Sequence, residues 1–165
     1  MKVFLASDHA GFALKNALAE HIRILGYEVE DMGAYAQNPE DDYPDFMTPL
    51  AQKVAEENAR GTDAARGIIV GGSGQGEAMC ANRVRGVRAA VFYGPMRVTA
   101  ALDIEGGRSE DGFDPVRLAR RHNDANVLAI GTRFVSGDEA DEAVRIFLET
   151  PFSDSPRHLR RIAKF

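Results

Sequence analysis

Segments with the pattern of a buried strand and segments with the pattern of a helix alternate about five times along this chain. That rhythm restricts the fold more than any other feature. Val3-Phe4-Leu5-Ala6 reads as a short buried strand running into the polar turn Ser7–Gly11. Phe12, Leu14, Leu18, Ile22 and Leu25 recur near the helical period, which predicts a helix over 12–25 ended by Gly26. Residues 27–32 alternate as a second strand, 33–45 form a loop rich in Asp, Pro and Asn, and 46–60 read as a helix closing at Gly61. Further strands are expected at 67–70, 87–92 and 126–130, with a helix to about Arg83 and a last long helix over 137–149. Parallel strands need crossovers, and helices are the usual crossover. The reading is therefore α/β: a single Rossmann-like domain with a parallel five-stranded sheet and helices on both faces. Ligands of such sheets bind at the carboxyl ends of the strands. The polar segments Ser7–Gly11, Gly71–Gly76 and Gly131–Arg133 all fall at such ends, and their convergence is expected.

A chain of 165 residues fits one domain of this kind, spanning 1–165. Residues 103–118, rich in Gly and acid, break the rhythm and read as an inserted loop, either a surface excursion or a lid. The net charge of −5 hides an asymmetry: the segment 157–165 holds Arg157, Arg160, Arg161 and Lys164 with no acid. The remaining 1–156 then carry 16 basic and 25 acidic residues, a net −9. Such a body is a poor nucleic-acid binder, because backbone phosphates demand a broad positive field. A small basic cluster suits a small anionic ligand, or is a solvated tail. No apolar run approaches the length of a membrane span, and the amino-terminal apolar stretch is too short for a signal peptide. One cysteine, Cys80, fits a reducing, cytoplasmic location.

Gly71-Gly72-Ser73-Gly74-Gln75-Gly76, between a strand and a helix, is the strongest local signal. Glycines let backbone N–H groups approach an anion, and the helix N-terminus adds positive partial charge. The spacing is neither the dinucleotide fingerprint nor a P-loop, so the segment is a phosphate cradle, an oxyanion hole or a tight turn. Glu77 in the following turn is either a helix-dipole partner or a general base. Asp8 and His9, and His122-Asn123-Asp124 before the last strand, are compatible with turn and capping roles as well as with chemistry. Four histidines at these spacings give no metal motif, and no cofactor is expected.

Taken in order, Ser7-Asp8-His9-Ala10-Gly11-Phe12, Asp42-Tyr43-Pro44, Gly71–Glu77, Ala81-Asn82-Arg83, Gly86-Val87-Arg88-Ala89, His122–Leu128, Gly131-Thr132-Arg133 and Arg157–Ile162 resemble the type B ribose-5-phosphate isomerases and their galactose-6-phosphate isomerase relatives. The resemblance spans nearly all of the chain except 103–118. It implies a metal-independent aldose–ketose isomerase acting on a phosphorylated sugar through a cis-enediolate. It also implies a homodimer, or a tetramer, with sites shared between subunits. Many members use a cysteine base at the position matching Gly71. A subgroup instead has glycine there, serine at the position of Ser73 and a glutamate base where Glu77 stands, and this chain resembles that subgroup. The resemblance makes Glu77 the proton shuttle with Ser73 beside it, and His122 the ring-opening acid–base group with Asp8 sharing that proton traffic. Tyr43 lines the sugar pocket, and Gly72, Gly74, Gly76 and Asn123 receive the developing oxyanion. Arg133, Arg157 and Arg161 hold the phosphate, with His9 nearby. Ribose 5-phosphate is the expected substrate, with a four- or six-carbon aldose phosphate as the alternative and a non-catalytic phosphate- or nucleotide-sensing domain as the further one.

Overall fold

The computed structural model describes residues 1–165 except 62, 63, 103–105 and 110. Five strands, β1 (Lys2–Ser7), β2 (Glu28–Asp31), β3 (Ala65–Gly71), β4 (Ala89–Phe92) and β5 (Val127–Gly131), form one sheet in the order β2-β1-β3-β5-β4. Every pairing is parallel. The helices are α1 (Phe12–Ile24), α2 (Pro44–Arg60), α3 (Gln75–Ala81), α4 (Asp114–Asn123), α5 (Gly137–Glu149) and α6 (Pro156–Ile162).

Successive residues of a strand face opposite sides, so the sheet divides the core in two. Val3, Leu5, Ile68, Val70, Leu128 and Ile130 pack with Leu18 and Ile22 of α1 and with Val144 and Phe147 of α5. Phe4, Ala6, Ile69, Val127 and Ala129 pack on the other side with Met47, Leu50 and Val54 of α2 and Ala78 of α3. Both faces are covered, which is why β3 is buried along its whole length.

Three boundaries differ from the sequence reading for physical reasons. The helix expected from residue 46 begins at Pro44, whose fixed φ suits a first turn. The strand expected over 67–70 extends to Ala65–Gly71, because both ends pair with β1 or β5. The excursion expected over 103–118 ends sooner: Asp114 and Pro115 start α4, with Phe92 and Phe113 stacked at 5.7 Å beneath. Its residues 103–105 and 110 lie outside the described residues. At its base Met96 N–H donates to the Gly112 carbonyl at 2.9 Å, and Arg117 clasps Asp111 at 2.6 and 2.5 Å.

Two buried arginines tie the far end of the molecule together. Arg66 donates to the carbonyls of Phe147 and Leu148, closing the C-terminus of α5. Arg120 donates to Thr150 O at 3.2 Å, Ala125 O at 2.6 Å and the Asp124 carboxylate at 2.9 Å. Both guanidinium groups lie by the Phe147 ring, at 5.7 and 5.8 Å from its centroid.

The turn after β1 is held at the switch point of the sheet by a close backbone approach. A Cβ on Gly11 would overlap the carbonyl of Val70 in β3. Gly11→Ala is expected to lose about 1–3 kcal/mol of stability through this overpacking, seen as a lower urea midpoint with an unchanged m-value.

Candidate active site

The carboxyl ends of β1, β3 and β5 bring the three expected polar segments to one rim. Thr132 N–H donates to Gly71 O at 2.9 Å and Arg133 N–H to Gly72 O at 3.3 Å, so the loop after β5 lies on the glycine loop after β3. Gly74 takes φ of 74°, a left-handed turn open to glycine, and starts α3 from it.

Glu77 sits in the first turn of α3 with only 4% of its surface exposed. Its carboxylate folds back over the end of β3: a Cβ on Gly71 would overlap its Oε1 and Cδ. The absence of a side chain at Gly71 is therefore what gives this carboxylate its place. Burial pushes the Glu77 carboxyl up from the ordinary value of 4.5, and the Asp8 charge adds to the rise. The backbone N–H groups of Glu77 and Gly74 and the Arg133 cation oppose it without cancelling it. A base with a raised pKa takes a carbon-bound proton more readily, which suits abstraction next to a carbonyl.

Around it stand most of the expected partners. The Arg133 guanidinium lies over Gly72, its Cζ 3.0 Å from where a Cβ there would be, and the Tyr43 hydroxyl is 2.8 Å from the equivalent point on Gly76. These two glycines thus make room for a cation and a phenol. Asp8, 7% exposed, accepts from Ala10 and Gly11 N–H at 3.0 and 3.2 Å and so shapes the turn as well as facing Glu77. The Ser73 hydroxyl accepts from Gln75 N–H at 3.3 Å, capping the first turn of α3. The Gln75 N–H is taken by the Ser73 hydroxyl, and those of Glu77 and Gly74 by the Glu77 carboxylate.

Sequence reasoning passed over Asp41. It receives both the backbone N–H of His9 at 3.1 Å and its Nδ1 at 2.6 Å. Its place beside Asp42-Tyr43-Pro44, in the acidic run Glu40-Asp41-Asp42, was the available signal. Among the described residues, Asp8, His9 and Asp41 are the group whose donor atoms, all within 4.8 Å, could gather round a cation. His9 and Asp41 spend their facing atoms on each other, while Asp8 is taken up by the N–H groups of its own turn.

Within one chain the remaining expected residues do not reach this rim. His122 and Asn123 end α4 at the other edge of the sheet, where Arg88, just ahead of β4, donates to Asn123 O at 2.9 Å. Gly67 pairs with Val127 and Gly71 with Gly131, so the length of β5 alone puts about 13 Å between the two ends. Helix α6 packs there too: the His122 and His158 rings lie 4.2 Å apart, and Ser153 N–H donates to Arg121 O at 3.2 Å. Arg157 and Arg161 are on this helix, none of whose residues is buried. The expected residues therefore fall into two groups at opposite ends of the sheet, an acidic one around Glu77 and a cationic one around α6.

The sequence profile of the Ribose/Galactose Isomerase family matches residues 3–105 and 112–165. The chain belongs to this family. It is 36% identical over 162 residues to ribose-5-phosphate isomerase B of Mycolicibacterium paratuberculosis, covering 98% of this chain and 87% of that one. A relative in Mycoplasma genitalium, described as a probable ribose-5-phosphate isomerase B, is 38% identical, with 98% and 91% covered. Among solved structures, that of ribose-5-phosphate isomerase B from M. genitalium with bound ribulose-5-phosphate superposes with a TM-score of 0.82 at 36% identity, covering 99% and 92%. The Thermotoga maritima ribose 5-phosphate isomerase gives 0.78 at 37% identity, covering 99% and 95%. The stretch 106–111, which that profile leaves unmatched, falls within the excursion ahead of α4. Among the described residues no helix is long and apolar enough to cross a membrane.

The buried carboxylate makes a sign-specific prediction. An acid whose pKa is raised by folding is ionised in the unfolded chain before it is ionised in the folded one, so its charge opposes folding above the ordinary value. Glu77→Gln is expected to raise the thermal midpoint at pH 8. The gain should shrink as pH falls through the raised pKa toward 4.5. Thermal unfolding of both proteins across pH 4–8 is the check.

Proposed function

We propose that this chain interconverts ribose 5-phosphate and ribulose 5-phosphate, with Glu77 as the base that carries the proton between C2 and C1. The observation that carries the assignment of the base is the carboxylate of Glu77 seated in the space over Gly71. A side chain at 71 and a carboxylate from 77 would compete for one volume. That exclusion supports placing the chain in the subgroup that uses glutamate where other members use a cysteine at the position of Gly71. Cys80 is one turn further along α3, bonded to the Thr48 hydroxyl at 3.2 Å, and takes no part.

Abstraction at C2 puts negative charge on the carbonyl oxygen, which the N–H groups of Gly72, Ser73 and Gly76 face. Arg133 lies close enough to receive the phosphate as a planar fork. One cation is a poor match for a doubly charged phosphate beside Asp8, Asp41 and Glu77. The cationic half-site supplies the rest. In a two-fold dimer each partner lays His122, Asn123, Arg157 and Arg161 across the other's Glu77 rim, completing two equal sites. His122 then opens the sugar ring, in concert with Asp8, before Glu77 acts. The chain leaving β4 passes beside the loop after β5, with the Tyr93 ring against the Phe134 ring and Gly94 near the Phe134 carbonyl.

The direct test incubates the purified protein with ribose 5-phosphate and with four- and six-carbon aldose phosphates in deuterated water containing a chelator. Deuterium at C1 or C2 of the pentose supports the assignment. Exchange with another sugar alone moves the specificity, and no exchange with any of them leaves a phosphate-sensing domain. Glu77→Gln is expected to lower turnover by at least about a hundredfold, and Gly71→Ala, which evicts the carboxylate, by a similar factor while remaining folded. Mixing Glu77→Gln with His122→Ala and letting subunits exchange should restore about a quarter of wild-type activity, because half the dimers then hold one intact site. Sites confined to single chains would restore none.

A further inference from the structure

His9 and Asp41 form a pair that the chemistry above leaves unexplained. The Asp41 side chain is 8% exposed although it belongs to the loop ahead of α2, and its Oδ1 takes both the backbone N–H and Nδ1 of His9. Its other oxygen, Oδ2, is buried with no hydrogen-bond partner. A buried carboxylate satisfied on one side holds its charge toward the one group it touches, and that group is an imidazole. We propose that Asp41 is a positioning residue that keeps His9 as an imidazolium whose Nε2–H donates to the phosphate of the substrate.

The reasoning turns on the two ring nitrogens. With Nδ1–H given to Asp41, a neutral His9 has a lone pair at Nε2 and can only accept. A phosphate oxygen accepts as well, so the neutral ring and the phosphate do not bond. The imidazolium has a proton on each nitrogen and serves both partners. The charges facing the ring are Asp41 and Asp8, which favour the cation, and Arg133, which opposes it. The Asp41 hydrogen bond is the largest influence and carries His9 above its ordinary value of 6.5. The proposal rests on the assignment of a sugar phosphate to this rim.

Asp41→Asn tests it, because the amide oxygen still accepts from Nδ1–H while the charge is gone. The first readout is the His9 ring titration by NMR in the protein without substrate. The second is ribose 5-phosphate affinity by calorimetry from pH 5.5 to 8.5. In the variant the His9 midpoint should fall. The pH at which affinity weakens should fall with it, with about a tenfold loss at pH 8 and near wild-type affinity at pH 5.5. An unmoved His9 midpoint overturns the proposal. So does a lowered midpoint with an unmoved affinity profile, which would leave Asp41 as an anchor for the loop. Asp41→Glu, which restores the charge, should return the profile upward; a Glu variant that behaves as Asn does also counts against it. Both readouts work without turnover, so a wild-type protein that binds ribose 5-phosphate but does not isomerise it would refute the catalytic assignment alone.

Discussion

A carboxylate and a missing side chain compete for the same few cubic ångströms at the end of β3, and the rest of the rim is arranged around the outcome. Glycine at 71 lets Glu77 turn inward from α3, and the inward turn is what buries it and raises its proton affinity. The short helix that presents it starts from the left-handed Gly74, which is itself pressed against the backbone of β5 at Gly131. Gly72 and Gly76 extend the same logic, yielding space to Arg133 and Tyr43. In this loop the glycines act less as hinges than as sockets, each holding a functional group borne by another element.

The sheet's uniform direction accounts for the division of charge. Because all five strands are parallel, every strand's carboxyl end lies on one side, and the turns after β1, β3 and β5 must meet there. The same direction sends the ends of the returning helices to the opposite side, which is where α4 leaves His122 and where α6 begins. The Glu77 carboxylate and the arginines of α6 are thereby held apart in one chain and cannot neutralise each other. The two buried arginines serve this separation. Arg120, two residues before His122, holds α4 to Thr150, and the chain runs from Thr150 into α6, so the imidazole and the arginine helix share one anchor.

Much of this was open to reading in the sequence. Strand period and helix period are set by local side-chain order, so β1, β3, β5, α1 and α5 stand close to where the pattern puts them. The site glycines were visible because a run of four in six residues has few structural uses. What escaped was whatever depends on a non-local neighbour. Asp41 looks like one more acid in a polar loop until the fold lays it against His9. Charge alone reads α6 equally as a solvated tail and as an anion-binding cluster, and its place against α4 is set by Ser153 N–H on Arg121 O and the His158 ring on His122. The inserted loop was drawn too long because Asp114-Pro115 reads equally as a turn and as a helix start, and the stacking of Phe113 on Phe92 decides between them.

Glu77, Asp8 and Asp41 lie at one rim, and a dianionic substrate must approach all three. Repulsion of that kind would favour loss of ionisation at one of them, and the structure answers each differently. Glu77 is kept dry, and the lost water pushes its carboxyl above the ordinary value. Asp8 accepts from two N–H groups of its own turn, which ties it to the shape of that turn. Asp41 is matched with an imidazole, which converts an unfavourable negative charge into a donor aimed outward. Three carboxylates of the same chemistry thus sit in three different surroundings. What separates them is the neighbour each one meets: a glycine socket at the end of β3, the N–H groups of its own turn, or an imidazole.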